Sequence, residues 1–161
     1  MDEPATGADL DQIEEALTSL GRLAVQRPLH EQTMAQAGAR LERSGAQVLA
    51  RLGECGPVRL SDLAAKLSLT VSTASRQVAQ LEREGLIQRV DDPADRRSAV
   101  LHMTKAGGEV LARIKAVRRQ RLERLLASWT PEERHQFAVL LTRLMDDLWA
   151  TTKTDRTGAN P

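Results

Sequence analysis

Tyrosine is absent from the 161-residue chain, phenylalanine occurs once and tryptophan twice, so aromatics make up 2% of it. A ligand cavity walled by aromatic rings is therefore poorly supported. A single cysteine, Cys55, excludes an intrachain disulfide and fits a reducing, cytoplasmic setting. Long hydrophobic runs are also missing, with no stretch near the ~18 apolar residues of a spanning helix. The opening residues carry Asp2, Glu3, Asp9, Asp11, Glu14 and Glu15 in place of the basic leader of a secretory signal. A membrane or secreted role is not expected. Nor is an enzyme, because the chain lacks a glycine-rich phosphate loop, a His-Glu metal motif and a recognisable nucleophile arrangement. His30, His102 and His135 have no close ligand spacing, so neither a metal site nor a cofactor is expected.

A local absence is the most informative. From Val71 onward, no carboxylate occurs before Glu82. Helical spacing puts Val71, Ala74, Val78 and Leu81 on an inward row and leaves Ser72, Arg76, Ala79 and Arg83 outward, flanked by Thr73, Ser75 and Gln80. An ordinary solvated helix mixes acids with bases, so an outward face of hydroxyls, amides and guanidinium suggests a surface meant for a polyanion. The preceding Leu60, Leu63, Ala64 and Leu67 predict a short helix with Ser61 as its N-cap and Asp62 near its positive end. Ser68-Leu69-Thr70 supplies the turn, and Thr70 is placed to cap the next helix. Two helices joined this tightly form a helix-turn-helix whose second member enters a major groove. Ser72, Thr73, Ser75, Arg76 and Gln77 are the candidate groove residues, with Ser61 and Thr70 the candidate contacts to the DNA backbone.

Gly85 suits a left-handed stop, after which Leu86 to Val90 and Ala99 to Met103 read as two strands of a hairpin. The connection from Asp91 to Ser98 is too long for a two-residue turn and is expected to project as a mobile charged finger. Arg96 and Arg97 at its tip suit an electronegative minor groove, with Asp95 bracing the Arg97 guanidinium.

The run Leu63-Ala64, Leu67, Val71-Ser72-Thr73-Ala74-Ser75-Arg76 and Leu81-Glu82-Arg83-Glu84-Gly85-Leu86-Ile87 is followed by Asp95-Arg96-Arg97-Ser98 and Leu101-His102-Met103-Thr104-Lys105-Ala106-Gly107. Together these resemble the MarR family of bacterial winged-helix transcription regulators. In that family the wing carries Asp-x-Arg-Ser or close to it, then a strand ending in Leu-Thr with a glycine three residues on. Here Met103-Thr104 stands in for Leu-Thr. The resemblance spans essentially the whole chain and implies a mostly α fold with a small β-wing, flanked by N- and C-terminal dimerisation helices.

The flanks fit that layout. Leu10, Ile13, Leu17, Leu20 and Leu23 predict an amphipathic helix reaching about Arg27, where Pro28 interrupts, and a second helix is expected from Met34 to Leu52. Leu111, Ile114, Val117, Leu122, Leu125 and Leu126 mark a long helix after the wing. Thr130-Pro131-Glu132-Glu133 opens another with a capping box, lined by Phe137, Leu140, Leu141, Leu144, Leu148 and Trp149. The basic residues Arg113, Lys115, Arg118, Arg119, Arg121 and Arg124 read as a solvated face. The expected organisation is an acidic flexible leader at 1–9, N-terminal helices contributing to dimerisation at 10–56, a DNA-binding region at 57–104, C-terminal dimerisation helices at 105–150 and a flexible tail at 151–161.

The apolar surface of these flanks exceeds what a winged helix can cover, which fits either an intrachain bundle or a second subunit, and the resemblance points to the subunit. It further implies a repressor that reads a pseudo-palindromic operator of double-stranded DNA. A winged-helix module for protein interaction without DNA function is the alternative. Some members of the family sense peroxide through a cysteine in the first helix, whereas Cys55 lies elsewhere and has no resolving partner, so it reads as passive. Many members release DNA on binding a small anion. Aliphatic side chains with His30, Met34 or Arg27 could frame such a pocket, but no effector identity or effector residue is assigned.

Overall fold

The computed structural model describes residues 7–24, 26–92 and 95–157, with side chains left undescribed at Ala24, from Asp92 to Ser98 and from Thr152 onward. The elements in order are α1 (Gly7–Ala24), α2 (Arg27–Gln36), α3 (Arg43–Cys55), β1 (Val58–Arg59), α4 (Leu60–Lys66), α5 (Val71–Arg83), β2 (Ile87–Asp92), β3 (Asp95–Met103), α6 (Lys105–Leu125) and α7 (Pro131–Thr157). The chain divides into a unit ending at Arg118 and a unit beginning at Arg119.

The core of the first unit is aliphatic. Leu49 and Leu52 of α3, Leu63 of α4, Val78 and Leu81 of α5, Leu101 of β3 and Ile114 of α6 are all fully buried. Helical spacing on each short helix creates one apolar stripe, and burying a leucine stripe contributes roughly 1.5–3 kcal/mol per side chain. On α5 the inward row holds for Ala74, Val78 and Leu81, whereas Val71, expected inside, is 53% exposed. As the first residue of its helix, it stands beyond the end of the stripe that the core covers.

Three helices end by the same closure. In α2, α4 and α5 the chain turns through a left-handed residue, at Gly38 (φ 59°), Ser68 (φ 54°) and Gly85 (φ 71°). In each, the amide after that residue reaches back five positions: Ala39 to Met34, Leu69 to Ala64 and Leu86 to Leu81, all at 2.9 Å. Gly38 explains one correction, since the helix expected from Met34 to Leu52 is cut there into the end of α2 and the separate α3. Pro28 likewise falls in the first turn of α2, where its missing amide costs nothing.

The wing sheet has strand order β1-β3-β2, with both pairings antiparallel. β1 was not anticipated. Its pairing of Val58 with Leu101 and Arg59 with Val100 keeps the backbone extended up to Leu60. The N-cap of α4 is therefore Arg59, without a side-chain cap, and not Ser61. β2 and β3 also extend further than expected, to Asp92 and Asp95, with an irregular register after Asp91. The long connection expected from Asp91 to Ser98 is thus mostly strand, with Asp91 paired to Ala99 and Asp92 to Asp95, and Pro93 and Ala94 lie outside the described residues.

The root of the wing is tied to α6 through Thr104. Its amide donates to Leu86 O at 3.0 Å, its hydroxyl donates to Gly85 O at 2.7 Å, and the same oxygen caps α6 by accepting from Gly107 N at 3.1 Å. A Cβ at Gly107 would collide with the Leu86 carbonyl and stand 2.9 Å from Met103 Cγ, so only glycine fits. The glycine of the Thr104-Lys105-Ala106-Gly107 signature is required by this close approach. Arg113 on α6 departs from the expected solvated face, donating through Nε to the Ala37 carbonyl at 2.9 Å at the end of α2.

In the second unit α7 opens as expected. Thr130 N donates to Glu133 Oε2 at 2.7 Å, and Glu133 N donates to Thr130 Oγ1 at 3.1 Å, a reciprocal capping box. Trp129 meets Phe137 edge to face at 5.4 Å. The helix continues to Thr157, past the expected end near Ala150, because no glycine or proline intervenes before Gly158. Among the described residues no helix is long and apolar enough to cross a membrane.

Candidate nucleic-acid interface

Thr70 is the N-cap of α5. Its Oγ1 accepts from Thr73 N at 3.2 Å, donates to Thr73 Oγ1 at 2.9 Å and lies 3.1 Å from Ser72 Oγ. The cap fixes the first turn of α5 and links three short hydroxyls whose small size lets a backbone come close. Beyond them, Ser72 and Arg76 are exposed, and Thr73 and Ser75 are half-buried at the edges of the same face. Ser61 and Thr70 are exposed beside it.

The arginines of this region differ in what holds them. Arg83 donates to Gln80 Oε1, and Gln80 in turn donates to Glu84 Oε1 at 2.6 Å. Arg89 on β2 donates through Nε to both carboxylate oxygens of Glu82, at 3.0 and 3.1 Å. Arg76 has no ion-pair or hydrogen-bond partner among the described residues, so its five donors are available to an incoming acceptor.

Gln77, expected in the groove set, is half-buried and turned toward α3, where Ser44 Oγ donates to its Oε1 at 2.9 Å. Sequence reading missed Ser44, because its partner lies far along the chain and no local pattern marks the pair. It also missed Val71, whose exposed isopropyl group stands beside Ser72 at the reading end of α5. The side chains of Asp95, Arg96 and Arg97 lie outside the described residues.

Elsewhere, His30 Nε2 is 2.8 Å from the Leu41 carbonyl, Arg27 pairs with Glu31 at 2.9 Å and Met34 is buried in the core. His30 lines one open pocket with Arg27 and Arg43 and a second with Met34 and Ala35. Cys55 is exposed at the last turn of α3.

The arrangement is a capped helix after a tight turn, a three-stranded wing and an outward arginine without a partner among the described residues, and comparison with known proteins gives it a family. The MarR family model matches residues 41–99. An uncharacterised HTH-type transcriptional regulator of Bacillus subtilis, YxaD, is 40% identical over 104 residues, a match covering 65% of this chain and 73% of that protein. The chain belongs to the MarR family. MarR members are transcription regulators and not enzymes. Among solved structures, Streptococcus pneumoniae FabT in complex with DNA is 26% identical, with a TM-score of 0.70 over 89% of this chain and 99% of that one. A MarR family protein from Bacillus stearothermophilus shares the fold with a TM-score of 0.78 at 22% identity, over 89% and 97% of the two chains.

Proposed function

We propose that this MarR-family regulator acts as a homodimer that binds a pseudo-palindromic operator in double-stranded DNA and represses transcription by occluding the promoter. The observation that carries the reading is Arg76, exposed on the outward face of α5 and without a partner among the described residues. Guanidinium to guanine O6 and N7 is the commonest specific major-groove contact. Ser72, Thr73 and Ser75 share its groove, Gln77 stands at the edge, and the Ser61 and Thr70 hydroxyls meet phosphates. Arg96 and Arg97 on the wing take the minor groove, with Asp95 as the brace. The DNA complex of FabT, a relative of the same fold, supports this mode of binding.

Exposed apolar surface supports the pairing of two chains. On α1, Ile13 is 50% and Leu20 58% exposed, along with Leu10, Leu17 and Leu23 on the same face. On α7, Phe137, Leu140, Leu148 and Trp149 are exposed in the same way. Faces of this kind are covered in stable soluble proteins, and a second copy supplies matched faces by symmetry. Residues 10–56 and 105–150 thus contribute the pairing helices around the 57–104 reading region, in the cytoplasm where the operator lies. Twofold pairing sets half-sites about 34–36 Å apart. A small-molecule effector would act by favouring one separation of the reading helices over the other.

The test is selection of duplexes from a randomised pool by purified full-length protein, followed by binding over a range of salt. Two inverted half-sites and a steep salt dependence are expected. Indifference to every duplex would reject the DNA reading in favour of a protein-interaction role.

A further inference from the structure

Ser44 and Gln77 meet where the first turn of α3 crosses the reading helix. Gly45, next to Ser44, is buried against the Leu81 side chain of α5, so the two helices pack tightly at this point. Gln77 and Arg76 line one face of the same cleft, with Arg40 and Glu42 on the side of α3. Gln77 therefore stands at the border of the reading face with its carboxamide oxygen already engaged by the Ser44 hydroxyl.

That engagement has a chemical consequence. A glutamine reads adenine by using both ends of its amide, the oxygen accepting from N6 and the nitrogen donating to N7. With one lone pair of the oxygen taken by Ser44 and the amide plane held in that direction, Gln77 is hindered from laying both ends of its amide on one adenine edge, and its NH2 group is left as the group that turns outward, a donor suited to guanine O6 or N7, thymine O4, a phosphate oxygen or, through a single bond, adenine N7. The tether also removes rotamer freedom that a free glutamine would lose on binding.

We propose that Ser44 is a specificity-determining residue that never touches a base: it orients Gln77 as a donor and so disfavours adenine at the base pair facing it. The proposal rests on the DNA reading above, and Ser44 is a positioning residue acting through Gln77.

The experiment is duplex selection from a randomised pool, read position by position, with the full-length parent and the variants Ser44→Ala, Ser44→Thr, Gln77→Ala and Ser44→Ala/Gln77→Ala. Ser44→Ala is expected to raise the preference for adenine at one position in each half-site by about tenfold. The double variant should lose that gain, and Ser44→Thr, which keeps the hydroxyl, should retain the parent ranking. A general loosening of the fold would weaken binding at all positions equally, and thermal melting of each variant reports it separately. The proposal is overturned if Ser44→Ala ranks bases as the parent does, or if its new preference persists without Gln77. If the parent itself selects no duplex, the DNA reading has failed and this one falls with it.

Discussion

Arg89 on β2, the first strand of the wing hairpin, grips Glu82 in the last turn of α5 through both carboxylate oxygens, at 3.0 and 3.1 Å. The wing and the helix are thereby fixed in relative direction at the wing root, where an error in angle would displace the tip. Both side chains are partly exposed, so the pair contributes well under about 1 kcal/mol to stability. Arg89→Ala should leave the melting temperature almost unchanged and weaken binding to a selected duplex severalfold. Fluorescence anisotropy beside a thermal melt checks this, and a large loss of stability with unaltered affinity would show that the pair serves the fold instead.

Gly107 and Gly108 are adjacent on α6 and should respond in opposite directions. A methyl at Gly107 collides with the Leu86 carbonyl, whereas at Gly108 nothing lies within 4 Å. Gly107→Ala is expected to destabilise the fold by about 3 kcal/mol. Gly108→Ala should stabilise it by about 0.5–1 kcal/mol through helix propensity. Denaturant unfolding of the two variants decides it, and equal effects would mean that the contact at Gly107 relaxes freely.

Arg76 and Arg97 are assigned to different grooves, and their removal should read out differently. Arg76→Ala should cost about 1–3 kcal/mol on the selected duplex and relax the preference at one base pair per half-site. Arg97→Ala should weaken binding on all sequences and lower the salt slope by about one. Binding isotherms over a salt series separate the two, and an unchanged base ranking for Arg76→Ala would move that residue to the backbone.

Leu17 lies on the exposed apolar face of α1. Sedimentation of the parent should give the mass of two chains at micromolar concentration, and Leu17→Glu should shift it toward one while the helical content is kept. A parent that sediments as a single chain would exclude the pairing.

What could be read from the sequence was whatever neighbours in the chain decide. Thr70 capping α5, Gly85 ending it, and the box of Thr130 with Glu133 each depend on residues within one turn, and all three stand as expected. The short strand β1 did not show itself, because two residues have no periodicity and its extended form comes from pairing with Val100 and Leu101. That same pairing moved the start of α4 ahead of Ser61. Gly38 was passed over because apolar spacing continued on both sides of it. Within the candidate interface, the outward row of Ser72 and Arg76 followed from helical spacing alone. The exposure of Val71 depends on where the core stops, and the turning of Gln77 on a hydroxyl of another helix, so neither could be seen in one stretch of chain.

The single hydroxyl of Thr104 closes the end of one helix and opens the next, holding Gly85 and Gly107 through the same oxygen. Neither end can fray without disturbing the other. The tail of α5 and the head of α6 should therefore exchange their amide hydrogens as one cooperative block, even though the wing separates them in the chain.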